Sequence, residues 1–441
     1  CQKVLLNLSI LIFNMNFLKN NNKLKKNSIQ NYLSYLACFL VFPIFIISAF
    51  TVFIDPYFIF NTRRIKNINK WKSTSQMTTR SSKPLRFILH KPKKIILGSS
   101  TAEVGIDPTY KNWKNGKGYN FSFGGGTLSE AQSVLEFAIK YGIEEVILIT
   151  DFIRFFPEQD QNNLNILKIN NNLKSNFGNS QFLLNWLNVI FSPKVIRDSL
   201  VTLILNNTNT ELAKSRHFIQ SNGSRDTFYQ LSVVSNNGGY KYAFKRGLNR
   251  LQIYSDNLCD FDHFSYKKRL PGVIYYSNIL ELAHENNINL RIVIPPMHAT
   301  AHLSLIKSNK YSLYQKWKEI LLKENLQIAS KFNNSSFPLY DFGLINKYSM
   351  EEIPLNLDRK KMVWFTDAFH FSKFYGDKIM DFIFMENPES INNFGYKVNL
   401  NLIKLNSNSN LDILKKLNLK KKNFSVILDK LKTNRIDNCT N

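Results

Sequence analysis

At 441 residues, with 44% hydrophobic residues that include 35 Phe and 19 Tyr, the chain can bury a substantial core as one large domain or two smaller ones. Its net charge of +26, from 58 basic and 32 acidic residues, raises a nucleic-acid or a membrane-surface reading. The lysines are spread along nearly the whole chain and no nucleic-acid recognition motif accompanies them, so nucleic acid is set aside as a partner; non-specific affinity for anionic lipid or acidic glycan is what the charge supports. The four cysteines, Cys1, Cys38, Cys259 and Cys439, form neither a disulfide framework nor a metal-type spacing, and the histidines show no ligand grouping. No metal and no cofactor is expected.

Residues 1–14 precede Met15, which reads as the true start. From Tyr32 to Ile54 the chain carries no charge and is almost wholly apolar, long enough for a helix to cross a hydrocarbon core of about 20 residues. Lys19, Lys23, Lys25 and Lys26 precede it and place the amino terminus in the cytoplasm. The expected organisation is a cytoplasmic tail (1–31), a single membrane span (32–54) in the cytoplasmic membrane, a polar and basic stalk (55–85), and an exported domain over 86–390. An Asn/Lys/Leu-biased helical tail follows over 391–441.

Within the exported part, Lys94–Gly98 reads as the first strand and Tyr119–Phe123 as the second, followed by the run Gly124-Gly125-Gly126. Thr127-Leu-Ser-Glu130 is a capping-box pattern that opens a helix to about Tyr141. Val146–Thr150 is a third apolar strand ending at Asp151. Residues 157–265 interrupt the rhythm as an insertion with helices near 181–205, placed to form a lid. Alternation resumes with a helix over Val273–Glu285, a strand over Leu290–Ile294 ending in Pro295-Pro296-Met297-His298, a helix over Tyr311–Lys323, a strand over Phe337–Phe342 and a closing helix over Gly376–Phe384. Strand–helix–strand order of this kind predicts a three-layer α/β/α sandwich with a central parallel sheet, flavodoxin-like in plan.

Ile95-Ile96-Leu97-Gly98-Ser99-Ser100 is an apolar strand that stops at a sharp turn, which lifts a serine hydroxyl out at the carboxyl edge of the sheet. A nucleophilic serine needs a base and a group that orients the base, and Asp367-Ala-Phe-His370 supplies both on one loop. Ser100 is the expected nucleophile, with Ser99 as the alternative because neighbouring strand residues point oppositely. The glycine run reads as a tight turn that allows close backbone approach, Asp151 and His298 end strands at the same edge, and Arg154 reads as opening a solvent-facing loop or facing an anionic substrate. Trp317 and Trp364 read as buried aromatics before sugar-stacking faces.

Assembled, these residues resemble the SGNH (GDSL-type) hydrolase superfamily, and more closely its membrane-tethered bacterial branch related to the alginate O-acetylation proteins. The resemblance runs from about Lys93 to Phe384 around a large unmatched insertion. It implies Ser100 as nucleophile in the first block, a Gly125 oxyanion donor in Asn120-Phe-Ser-Phe-Gly-Gly125, and Asp367 and His370 as orienting acid and base. The third block departs: where the family has an oxyanion-donating asparagine this chain has Asp151, and an ionised carboxylate cannot donate. The activity implied is deacetylation or O-acetylation of cell-envelope polysaccharide, with a membrane acyl donor as a partner in the second case. The rival reading is a degenerate scaffold that binds glycan or an envelope-assembly partner.

Overall fold

The computed structural model describes residues 27–113, 117–155, 186–256, 271–354, 361–384 and 393–420, together with Phe424 and Leu428. The strands are β1 (Lys94–Leu97), β2 (Gly118–Asn120), β3 (Glu145–Ile149), β4 (Asn289–Ile294), β5 (Leu339–Asp341) and β6 (Tyr396–Lys397). The helices in chain order are α1 (Asn27–Ile54), α2 (Thr79–His90), α3 (Ser100–Gly105), α4 (Leu128–Ile139), α5 (Pro193–Thr208), α6 (Thr210–Ser215) and α7 (Thr227–Asn236). They continue as α8 (Tyr240–Asp256), α9 (Pro271–Glu285), α10 (Ala299–Lys307), α11 (Tyr311–Lys331), α12 (Lys373–Phe384) and α13 (Leu400–Lys420).

The strands form one sheet in the order β2-β1-β3-β4-β5-β6. The first five are parallel, with Ile96 level with Asn120 on one side and with Ile147 on the other. β1 and the last four residues of β3 are buried throughout. Continuous apolar burial is what a parallel strand covered by helices on both faces requires. The flanking helices complete the three-layer α/β/α sandwich. Its strand order reverses between β1 and β3, and in open α/β sheets ligands collect in the crevice beyond the carboxyl ends at such a switch point.

The capping box forms as its sequence predicts. Thr127 Oγ1 accepts from the Glu130 amide at 3.2 Å and Glu130 Oε2 accepts from the Thr127 amide at 3.0 Å, which starts α4 directly after the glycine run.

The segment expected as a stalk is instead packed into the domain. Tyr57, Phe58 and Ile59 are buried, and so are Lys72, Lys83 and, just beyond the segment, Arg86. The basic residues are buried because each reaches a fixed acceptor. Lys72 Nζ donates to the Ile54 carbonyl at 2.7 Å, capping the last turn of α1 with a cation, while Arg86 donates to the carbonyls of Tyr57 (3.0 Å) and Gln220 (2.8 Å). Asn69 Nδ2 takes the Phe53 carbonyl at 2.9 Å. The apolar N-terminal helix therefore runs without a flexible joint into the folded domain. The C-terminal region is integrated in the same way: β6 pairs antiparallel with β5, and Leu414, Phe424 and Leu428 are buried in the core. Of the cysteines, Cys38 is exposed on α1, and the other three lie outside the described residues.

Two buried histidines tie this fold to pH. His217 Nδ1 accepts from the Lys72 amide at 3.1 Å, and burial, then Arg64, Lys72 and Arg86, push its pKa down to about 3. His302 is fully buried with no ring hydrogen bond among the described residues, and burial, then Lys318 and His298, push it down to about 3. Both are held neutral in the fold but titrate near 6.5 when unfolded. Their folded pKa lies below the unfolded one, so stability is complete above about pH 6.5 and is lost as pH falls from there. Between about pH 7.5 and about pH 5 the melting temperature should fall by several degrees, at about 2 kcal/mol per histidine. His302→Leu should remove part of that fall; a melting temperature flat over this range would contradict the assignment.

Candidate active site

The turn after β1 places Ser99 as the N-cap of α3, where its Oγ accepts from the Thr101 amide at 3.3 Å. Ser100 is then the first helical residue, half-buried, with its hydroxyl toward the cleft. His370 Nε2 lies 2.8 Å from Ser100 Oγ, and His370 Nδ1 lies 2.6 Å from Asp367 Oδ2. Residues 270 positions apart are thus joined into one hydrogen-bonded line. The Ser99 hydroxyl is bonded to Asp151 and Thr101 while that of Ser100 meets His370, which separates the two candidate nucleophiles.

The loop that carries the base is held on several sides. A Phe365–Phe371 bridge and a 2.9 Å bond from the Thr366 amide to the His370 carbonyl close it into a tight hairpin. Glu351 accepts from the amides of Val363 (2.6 Å), Trp364 (2.9 Å) and Phe365 (3.2 Å) just before it. Asp367 Oδ1 accepts from the amides of Phe369 and His370, both at 2.9 Å, leaving Oδ2 for the imidazole. Burial pushes the Asp367 carboxyl up, but the His370 ring and these amides outweigh it and hold the group below the usual carboxylate range. It stays ionised and fixes the imidazole tautomer that can accept a proton from Ser100.

α12 starts just after this loop and presses on α3. A Cβ at Gly376 would meet the Gly105 carbonyl oxygen at 1.8 Å, so only glycine allows the approach that brings His370 onto Ser100.

Gly125 has φ +71° with open space where a side chain would be, and it lines the cleft with Ser100. Neither the Ser100 nor the Gly125 amide donates to another group among the described residues. Two unspent N–H groups lining one cleft with the Ser100 hydroxyl are the kind of donors an oxyanion needs.

Asp151 lines the same cleft but serves the turn. Its carboxylate accepts from the hydroxyls of Ser99 and Thr101, the latter at 2.7 and 2.9 Å, so it clamps the residues on either side of Ser100. In this arrangement it is an acceptor and gives no hydrogen bond to an oxyanion.

His298 does not reach the cleft. It is fully buried among Phe244, Phe365 and Phe424, caps α10 through Thr300, and its Nε2 lies 2.8 Å from the Glu351 carbonyl. Its amide donates to the Ala368 carbonyl at 3.1 Å, so it supports the Asp367–His370 loop from beneath and the expected substrate contact is corrected to a structural one. Trp317 is likewise buried, edge-on to Phe152 and Phe155.

Several cleft residues come from the insertion, where no motif marks them. The cleft, of about 490 Å³, is lined by Val233, Val234 and Gln230 from α7 and by Ala243, Arg246 and Arg250 from α8. Arg246 and Arg250 are one helical turn apart, a spacing visible in the sequence, but nothing there shows which side of the insertion faces Ser100. Glu103 was also missed. It is buried on α3 and paired with Lys83 at 2.9 Å and Arg225 at 2.6 Å.

No family model matches the chain, and no curated protein matches its sequence.

Asp151 gives a graded prediction. Asp151→Leu removes both hydroxyl contacts and should slow the reaction of Ser100 with a fluorophosphonate by about 10–100-fold. Asp151→Asn keeps one acceptor oxygen and should fall between that variant and the parent. A faster reaction in Asp151→Asn would mean that this position faces the oxyanion and does not hold the turn.

Proposed function

We propose that this chain is a membrane-anchored, serine-dependent acyl esterase or O-acyltransferase of the SGNH type that acts on cell-envelope polysaccharide. The observation that carries the reading is the unbroken hydrogen-bond line Ser100–His370–Asp367 at the carboxyl end of β1.

Ser100 Oγ attacks the acyl carbonyl while His370 Nε2 takes its proton, and Asp367 stabilises the imidazolium that forms. The Ser100 and Gly125 amides receive the oxyanion. Collapse breaks the ester bond, and His370 returns the proton to the departing hydroxyl. Water or a sugar hydroxyl then gives its proton to His370 and attacks the acyl-serine; collapse breaks the acyl–Oγ bond and His370 hands that proton to Ser100. The acceptor that reaches the acyl-serine decides between hydrolysis and transfer.

The cleft chemistry supports an acidic, hydroxyl-rich substrate. Its lining carries Arg154, Arg246 and Arg250, together with Arg80 and Arg225, which are paired with Glu130 (2.7 Å) and Glu103 (2.6 Å), alongside the carboxylates of Asp151 and Asp367. Guanidinium groups suit carboxylate and phosphate recognition. Ser34–Ile54 is a helix of the length and apolarity found in an anchor or a signal sequence. Read as an anchor, with the lysines before it on the cytoplasmic side, it places the domain on the outer face of the membrane, where envelope glycan lies.

The test is fluorophosphonate labelling of the full chain in detergent, with peptide mapping. Label should appear on Ser100, vanish in Ser100→Ala, and form about a thousandfold or more slowly in His370→Ala. A folded protein that takes no label would overturn the enzyme reading in favour of a glycan-binding scaffold.

A further inference from the structure

Helix α5 is built inside out. Its inward face carries Asp198, Ser199, Thr202 and Asn206 with Val195, all buried. Three of these polar groups are spent on the domain: Asp198 accepts from the Tyr57 hydroxyl at 2.8 Å, Thr202 lies 3.3 Å from Thr74 Oγ1, and Asn206 exchanges bonds with the Trp71 backbone at 2.8 and 2.9 Å. Its outward face carries Leu200 and Ile204, exposed at 45% and 55% and one turn apart. Leu187 and Phe191, also one turn apart, are exposed just before the helix begins. A helix packed on a water-facing domain shows the opposite pattern, apolar inward and polar outward.

This apolar face adjoins the N-terminal span. α5 packs along α1, and the Thr51 hydroxyl of α1 donates to the Ile190 carbonyl in the turn before α5. Phe53, in the last turn of α1, is 48% exposed. Lys194 and Arg197 are exposed on the first two turns of α5, and Trp186 rests against Phe60 with ring centroids 5.5 Å apart. Exposed leucine and isoleucine beside basic residues and a tryptophan, next to the end of a span, fit the headgroup boundary of a bilayer.

We infer that the surface formed by Leu187, Phe191, Leu200 and Ile204 is a second membrane contact, with α5 lying in the lipid interface beside the point where α1 leaves the bilayer. The inference rests on reading α1 as a span. The domain is then held flush against the membrane by two elements, and it cannot swing on a single tether.

The test uses the full chain in liposomes of phosphatidylethanolamine and phosphatidylglycerol. The native cysteines are replaced by serine and one environment-sensitive fluorophore is attached at Leu200→Cys or at Ile204→Cys. Leu326→Cys serves as an exposed apolar control on α11, and a variant retaining Cys38 alone reports on the span; an unchanged melting temperature certifies each fold. With nitroxide-bearing lipids, Cys38, Leu200→Cys and Ile204→Cys should be quenched several-fold more strongly than Leu326→Cys. Quenching at Cys38 with none above the control at the two α5 positions would overturn the inference and leave the anchor standing. Absence of quenching at Cys38 would overturn the anchor reading and this inference with it.

Discussion

The Glu103 carboxylate is the constraint on which the arrangement around the Ser100–His370–Asp367 line depends. It sits on the short helix that begins with Ser100, fully buried, and takes an ammonium from Lys83 and a guanidinium from Arg225. Burial pushes its carboxyl up, but the two cations outweigh this and hold it below the usual carboxylate range. Lys83 comes from α2 and also donates to the Ser122 carbonyl, at the approach to the glycine run. Arg225 comes from the insertion and continues to Gln230 and the cleft. One carboxylate thus locks α3, the approach to the glycine run, α2 and the segment around Arg225 together. Breaking such a pair by removing one partner costs about 3–5 kcal/mol, because the remaining charge stays buried.

Around that lock, topology does the positioning. The strand order reverses between β1 and β3, so their carboxyl ends open a crevice where the Ser100 turn and Asp151 meet. A helix of only six residues would be a poor platform by itself, since short helices are marginal without tertiary support. Here Asp151 clamps its first turn, Glu103 its middle, and the Gly105–Gly376 contact its end. The helix that begins at Ser100 is held by three devices, whose partners come from different parts of the chain.

Much of this was legible in the sequence because it rests on local rules. Runs such as Lys94–Leu97 and Glu145–Ile149 have the composition and length of buried parallel strands, and Thr127–Glu130 carries its own cap. The Gly-Ser-Ser turn and Asp-x-x-His loop were visible for the same reason, and the structure brings Ser100, His370 and Asp367 together. What stayed hidden depends on distant partners. Residues 55–85 read as a solvated stalk because lysine is seldom buried, yet Lys72 and Lys83 find the Ile54 and Ser122 carbonyls and the Glu103 carboxylate, and Arg86, just beyond, reaches the Gln220 carbonyl. β6 is two residues long and owes its place to β5, not to any propensity of its own. His298 ends a strand at the correct edge, and only its packing among three phenylalanines shows that it points into the core. The polar inner face of α5 is hidden in the same way, since its partners Tyr57, Thr74 and Trp71 lie well over a hundred residues earlier.

The central claim is that Ser100 is an activated acyl acceptor. The most direct measurement is trapping of the acyl-enzyme: the full chain is mixed with p-nitrophenyl acetate, quenched in acid within the first turnover, and its peptides are weighed. One acetyl group on the Ser100 peptide, absent when His370 is replaced by alanine, is the predicted result. An acetyl group on Ser99, or acetylation of Ser100 that proceeds equally without His370, would contradict the account.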